Sequence, residues 1–236
     1  MAEHRNISQP ADWLEQIRIP ALYVVTDTLI GQGRSHAEIA AAAVAGRGAG
    51  IIQLRDKQLA SAALLREAVA VREAMAEYDA LFVVNDSLDV ALASGADGGV
   101  HLGQSDGSVS AARAAAEAAI TAVPDGSKRF IIGVSVGSVA EACRAVEEGA
   151  DYVALGPVFS TNSKPDAGGA ARGLVLLQEI RDALPPAVPL VAIGGIGPAN
   201  VQDVFRAGAD SAAVISAVVA EDDVTAAARG GCGGAD

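Results

Sequence analysis

The residues with the most chemical potential come in short, separated groups. Gln53-Leu54-Arg55-Asp56-Lys57 ends an apolar run and carries two cations two positions apart. In extended chain, residues i and i+2 project to the same side, so Arg55 and Lys57 form a pair. Joined by Lys164 they would suit a polyphosphate; the bland alternative is three solvated charges. Asp86 and Asp106 follow two later apolar runs. Two carboxylates beside cations suit Mg²⁺, which takes a few carboxylates and completes its shell with phosphate oxygens and water. The competing reading, two acids capping helix N-termini, stands level with it, most of all for Asp106 before Gly107-Ser108. Gly194-Gly195-Ile196-Gly197 and Ile215-Ser216 offer backbone N–H groups that an anion could approach closely. The segment from Gly156 to Gly173 holds Thr161, Ser163, Lys164 and four glycines. A loop of that length is functional or disordered, and a functional one would close over charged substrate. His4, His36 and His101 form no triad with a serine at any familiar spacing.

These groups need a frame that brings them to one place. Eight short apolar runs recur: Leu22–Thr26, Ile51–Arg55, Leu81–Asn85, Val100–Leu102, Phe130–Ser135, Tyr152–Leu155, Pro189–Ile193 and Ala212–Ile215. Helical patterns lie between them, at Ser35–Ala45, Ser61–Glu77, Ser87–Ala93, Ser108–Ala119, Ser138–Glu147, Leu174–Ala183 and Asn200–Ala207, many opening on Ser or Asn as N-cap. Strict βα alternation argues for a parallel sheet, and eight units for a closed (β/α)8 TIM barrel. Gly48-Ala49-Gly50, Gly95-Ala96-Asp97, Gly149-Ala150-Asp151 and Gly208-Ala209-Asp210 each separate a helix from the next strand. Glycine there can take the left-handed conformation that ends a helix, a structural device. It also sets polarity: nearly every polar residue near a strand lies at the opposite, C-terminal rim, where barrels keep their chemistry. This clustering marks an enzyme.

Composition bounds the rest. The 236 residues leave room for one barrel, organised as an N-terminal extension (1–20), a single domain (21–229) and a Gly-rich tail (230–236). Aromatics are only 3 %, so the core must be built from Ala, Val, Leu and Ile. A net charge of −12 without a Lys/Arg cluster argues against a nucleic-acid partner. No apolar run reaches the roughly 18 residues of a membrane span, and Met1 to Trp13 does not read as a signal peptide. Cys143 and Cys232 lack metal or disulfide spacing, so a cytoplasmic setting is expected.

At these same residues the sequence resembles the thiamine phosphate synthase family. Gln53 to Lys57 matches the family's Q-L-R-[DE]-K motif, Asn85-Asp86 its N-D, and Val100 to Asp106 its V-H-L-G-Q-x-D. Gly133-Val134-Ser135, Gly156 through Lys164 and Ala192 through Ile196 follow in order. The resemblance runs from about Leu22 to Ser216. It implies that Gln53, Arg55, Lys57, Asn85, Ser135 and Lys164 hold an aminopyrimidine diphosphate, and that Asp86 and Asp106 bind Mg²⁺ on it. Thr161, Ser163, Gly195, Ile215 and Ser216 would hold a thiazole phosphate. Diphosphate leaves, a pyrimidine methylene cation forms, and the thiazole nitrogen attacks it, with Lys57, Ser135 and Lys164 as the catalytic side chains. The partners implied are these two small molecules, with a homo-oligomer left open. Rival readings are a thiazole tautomerase relative, a Schiff-base aldolase using Lys57 or Lys164, and a binding barrel without turnover.

Two departures from the family pattern set structural expectations. Gly98-Gly99 contains one glycine more than the family has before the strand that leads to Asp106. An inserted residue flips the side chains beyond it unless a turn or bulge absorbs it, and upstream absorption is expected. The final helix, Asp223–Arg229, is stopped by Gly230-Gly231-Cys232-Gly233-Gly234, and so short a helix would expose barrel strands unless oligomer contacts or the segment around Trp13 cover them.

Overall fold

The computed structural model describes residues 21–121, 130–161, 163 and 170–230. The N-terminal extension with Trp13 and His4, residue Lys164 and the tail with Cys232 lie outside the described residues. Strands β1 (Leu22–Val25), β2 (Ile51–Leu54), β3 (Leu81–Asn85), β4 (Val100–Leu102), β5 (Ile132–Val136), β6 (Tyr152–Leu155), β7 (Leu190–Ile193) and β8 (Ser211–Val214) pair in chain order. All pairs are parallel, and β8 returns to β1 with Leu22 opposite Ala212, closing the barrel. The helices are α1 (His36–Val44), α2 (Ser61–Ala74), α3 (Leu88–Ser94), α4 (Val109–Thr121), α5 (Val139–Glu147), α6 (Gly173–Ala183), α7 (Val201–Arg206), α8 (Ser216–Val219) and α9 (Val224–Gly230). The sequence expectations for these elements differ from them by a few residues at most, except that α8 was not expected. None of these helices is long and apolar enough to cross a membrane.

The period of two sorts each strand into two cores. Leu22, Val24, Ile52, Leu54 and Val84 face outward into one layer with Ile39, Ala43, Leu64 and Ala68 of the helices. Tyr23, Val25, Ile51, Val83, Tyr152, Ala154, Val191 and Ala213 face inward and fill the barrel. Gln53, Asn85, His101 and Ser135 share the inward parity. The core is largely aliphatic; Tyr23, Tyr152 and Phe82 are among its largest buried side chains, and Phe130 is a further buried aromatic.

The N-terminal end is locked by the Gly-Ala-Asp repeat. Gly95, Gly149 and Gly208 are left-handed, with φ of 70°, 104° and 96°. The aspartate that follows accepts a backbone N–H at the start of the preceding strand: Asp97 from Phe82, the second residue of β3, Asp151 from Ile132 and Asp210 from Leu190, the first residues of β5 and β7, at 2.9, 2.7 and 2.8 Å. Buried Asp151 is also paired with Arg113. The first copy departs from the expectation. There Gly46 and Arg47 take the left-handed turn and Gly48 has φ −72°, because a short 3-10 turn follows α1.

The outward faces of β1 and β8 are covered. Leu22, Val24, Ala212 and Val214 of β1 and β8 are all buried. Helix α9 buries Val224 and Ala228, and the Thr225 hydroxyl donates to the Ala42 carbonyl of α1 at 2.8 Å. Two short helices, α8 and α9, follow β8, and the glycines expected to stop the last one lie, after Gly230, outside the described residues.

Candidate active site

The C-terminal rim carries two distinct groups. The first stands on β2, β3 and β4. Asp86 takes φ 64°, a left-handed conformation that few non-glycine residues adopt and that is frequent at functional sites. Its N–H donates to the His101 carbonyl at 2.8 Å, so the turn is pinned to β4. The Asp86 carboxyl is pushed up to about 6, by burial first and then by the hydrogen bond and charge of Asp106; Lys57 and Arg55 pull the other way. Four of the sequence-predicted residues are therefore electrostatic neighbours. Neither aspartate is a helix cap. Ser87 and Ser108 precede α3 and α4, and Asp106 instead accepts the Gly103 N–H at 2.7 Å across its own turn.

The Gly98-Gly99 step is what allows this. Gly99 has φ 75°, and its N–H closes a turn on the Ala96 carbonyl. A Cβ on Gly99 would lie 1.9 Å from the Ile131 carbonyl oxygen, and one on Gly98 2.8 Å from that of Phe82. The extra residue is taken up before β4, and pairing resumes with Val84 opposite Val100 and Asn85 opposite His101. Asp86 and Asp106 consequently meet on the same side of the rim.

Asp56, between Arg55 and Lys57, serves the loop. Its Oδ1 accepts the N–H groups of Gln58 and Leu59, and its Oδ2 lies 3.4 Å from His36 Nε2. Burial works to raise its pKa, but the hydrogen bonds from Gln58, His36 and Leu59 outweigh it and hold the carboxyl below its usual range. Buried His36 also meets Thr26 Oγ1 at 2.7 Å through Nδ1, tying α1 and the end of β1 to this loop.

The second group surrounds a cavity of about 1020 Å³ over β5 to β8. Ser135, Thr161, Ser163, Gly195, Ile215 and Ser216 line it, with Pro157, Ser160, Gly194, Gly197 and Asn200. Gln53, Arg55, Lys57, Asn85, Asp86 and Asp106 are not in its lining. Gly194 and Gly195 have φ of 102° and 65°, and a Cβ on them would come within 2.6 Å of Pro157 Cβ and of the Ser160 carbonyl oxygen respectively. The Phe159 N–H donates to the Gly194 carbonyl at 3.0 Å, stitching the loop after β6 to the loop after β7. Asn200 finishes the turn: its Nδ2 donates to the Gly195 carbonyl and its Oδ1 accepts the Gly197 N–H, both at 2.9 Å. The Ser163 hydroxyl donates to that of Ser216 at 3.2 Å, joining the third loop.

Beneath the rim lies a buried polar chain that sequence reasoning missed. Gln53 donates through Nε2 to the Tyr23 hydroxyl at 2.7 Å, and the hydroxyls of Tyr23 and Tyr152 are 3.1 Å apart. Tyr152 Oη meets His101 Nδ1, and His101 Nε2 meets Ser135 Oγ, both at 2.9 Å. Gln53 is thus engaged inside the barrel, below the rim. The legible signal was Tyr23 standing on the same parity as Val25. Nothing local says that its partners come from β2 and β6.

With this geometry in hand, similarity to known proteins is informative. The family described as thiamine monophosphate synthase matches residues 22–218. The thiamine-phosphate synthase of Methanoculleus marisnigri is 60 % identical over 208 residues, covering 88 % of this chain and 92 % of that protein. That of Chloroflexus aurantiacus is 45 % identical over 224 residues, covering 95 % and 93 %. Among solved structures, thiamine phosphate pyrophosphorylase from Pyrococcus furiosus superimposes with a TM-score of 0.76 at 37 % identity, covering 90 % of this chain and 93 % of that one. A 3-hexulose-6-phosphate synthase, at 22 % identity and TM-score 0.63, shares the fold. A carboxylate pair facing cations on one side of a barrel rim and a glycine-walled cavity on the other, in a chain this similar throughout, give one conclusion: the chain belongs to the thiamine monophosphate synthase family of transferases.

Proposed function

We propose that the two groups on the rim divide the family's two substrates between them. The β2–β4 group takes an aminopyrimidine diphosphate, and the β6–β8 part of the cavity takes a thiazole phosphate, with Ser135 on β5, the strand paired with β4, at the border between them and turned to the pyrimidine. The observation that carries this reading is the coupled pair Asp86 and Asp106 opposed by Arg55 and Lys57. A carboxyl raised by burial and then by a second carboxylate beside it calls for a cation between the two. Mg²⁺ fits this donor set: among the described residues no third His, Cys, Asp or Glu joins the pair, and Mg²⁺ characteristically keeps water and substrate phosphate oxygens. When bound, the ion would neutralise the diphosphate and make it a better leaving group.

The side chains supply the rest. Arg55 and Lys57, with Lys164 from the loop after β6, offset the negative charge that grows on the departing diphosphate. Asn85 and Ser135, both on the inward parity, orient the pyrimidine. The C–O bond to diphosphate breaks, leaving a methylene cation on the pyrimidine. The thiazole nitrogen then donates its lone pair to that carbon. No protein nucleophile or strong base is required, so alignment and charge carry the rate. The N–H groups around Gly195 and Ser216, with the hydroxyls of Thr161 and Ser163, hold the thiazole's phosphate. Glycine lets the backbone approach it.

The test is a two-substrate assay with Mg²⁺. Thiamine phosphate and diphosphate should form one to one, stop with EDTA and resume with excess Mg²⁺. Asp86→Ala should lower kcat on the order of 10²–10³-fold at unchanged fold content. Full activity of that variant, or in EDTA, would remove the role assigned to the carboxylate pair.

A further inference from the structure

The buried chain Gln53–Tyr23–Tyr152–His101–Ser135 crosses the barrel floor and emerges at the edge of the cavity. Its protons can be counted. Gln53 Nε2 is a donor only, so the Tyr23 oxygen accepts from it. The single Tyr23 proton is then directed to Tyr152, 3.1 Å away. Tyr152, having accepted, gives its own proton to His101 Nδ1. A neutral imidazole that accepts at Nδ1 carries its proton on Nε2, which donates to Ser135 Oγ. Ser135 accepts there and keeps its own proton for the cavity. Its neighbour Gln104 is engaged elsewhere: its Nε2 donates to the Ser135 backbone carbonyl and its Oε1 accepts from Arg144 Nη2.

Turning the chain round while the Gln53 nitrogen faces Tyr23 strands a hydroxyl proton at 2 % exposure. A doubly protonated His101 strands one in the same way. Buried polar groups left unpaired are costly, and among the described residues every buried side-chain nitrogen and oxygen has a partner. The packing fixes the same geometry. The His101 and Tyr152 rings stack at 5.6 Å and 29°, and Tyr23 meets Tyr152 edge-on at 6.4 Å. Gly133 makes room for this, since a Cβ there would lie 1.9 Å from Tyr152 Cζ.

We infer that Tyr152, itself oriented by Tyr23, is a positioning residue: through the Nε2–H tautomer of His101 it presents the Ser135 hydroxyl to the cavity as a hydrogen-bond donor. A donor at that point fits a ring nitrogen of a heteroaromatic substrate. Assigning that ring to the pyrimidine rests on the division of substrates proposed above.

The test begins on the ligand-free full chain labelled with ¹⁵N-histidine, the His101 signals being assigned by their loss in His101→Gln. A protonated Nε2 with an unprotonated Nδ1 is expected at neutral pH. The opposite tautomer, or a doubly protonated ring, overturns the relay whatever the substrates do. Tyr152→Phe removes the proton that selects the tautomer. His101 should then average between tautomers, and the KM for the pyrimidine diphosphate should rise roughly tenfold while that for the thiazole phosphate stays within about twofold. An unchanged tautomer and KM would overturn the role of Tyr152. Should Tyr152→Phe fail to fold, Tyr23→Phe tests the count from the other side: it leaves His101 Nδ1 as the acceptor for the Tyr152 proton, so the Nε2–H tautomer and both KM values should persist, and a switched tautomer there would overturn the relay. Ser135→Ala separates the two proposals: an unaltered pyrimidine KM there refutes the substrate assignment, even where the tautomer is as expected.

Discussion

On the β2–β4 side of the rim, Asp86, Asp106, Arg55 and Lys57 face one another as charges. On the β6–β8 side, the cavity is walled by glycines, hydroxyls and backbone, with Glu221 the one charged side chain in its lining among the described residues. Both sides are assigned to phosphate groups, yet they are built from different physics. The charged side is frustrated by itself: Asp86 is held near 6 because burial and Asp106 oppose its ionisation. A cation and a polyphosphate would relieve that. The neutral side is already satisfied, its turns closed by Asn200 and by the Phe159–Gly194 bond before any ligand arrives. A variable, leaving diphosphate suits a site that ion binding completes. A phosphate that is only held suits a preformed one.

Substitutions should separate the two sides. The largest effect is expected for Asp86→Asn, which keeps the shape and removes the charge. Its kcat/KM should fall on the order of 10²–10³-fold, with excess Mg²⁺ recovering little, while KM for the thiazole phosphate barely moves. Gly195→Ala should do the reverse. It forces alanine to φ 65° and sets a methyl against the Ser160 carbonyl. Stability should drop by about 1–2 kcal/mol by denaturant melts, and KM for the thiazole phosphate should rise more than that for the pyrimidine. Asn200→Ala breaks the same turn more gently, costing about 1 kcal/mol with a severalfold rise in the same KM. If Gly195→Ala and Asp86→Asn impair the two substrates equally, the division of the rim is wrong.

The smallest effect is on stability against pH. The folded-state pKa of Asp86, about 6, lies above the ordinary 3.8. The folded chain therefore holds this proton more tightly than the unfolded one, and stability falls as pH rises from roughly 4 through 6. Asp86→Asn should flatten that part of the Tm–pH curve and raise Tm above pH 6 in EDTA. Mg²⁺ should raise the wild-type Tm above pH 6 and have little effect below 4. A wild-type curve that rises over this window would contradict the frustration of the charged side.

The sequence alone carried the alternation of eight strands and helices, the polarity of the barrel and the rim positions of Arg55, Lys57, Asp86, Asp106 and Ser216. These are written in local code: periods of two and 3.6, caps and glycine turns. Tertiary structure alone decided what those residues do to one another. The absorption of Gly98-Gly99 depends on the carbonyls of Phe82 and Ile131, which no local rule places. The covering of β1 and β8 by two short helices depends on α9 finding Ala42 of α1, 183 positions away in the chain. The proton order of the buried chain depends on five strands pointing their inward residues at one axis. Local pattern sets which way a side chain faces, but only closure of the barrel sets what it meets.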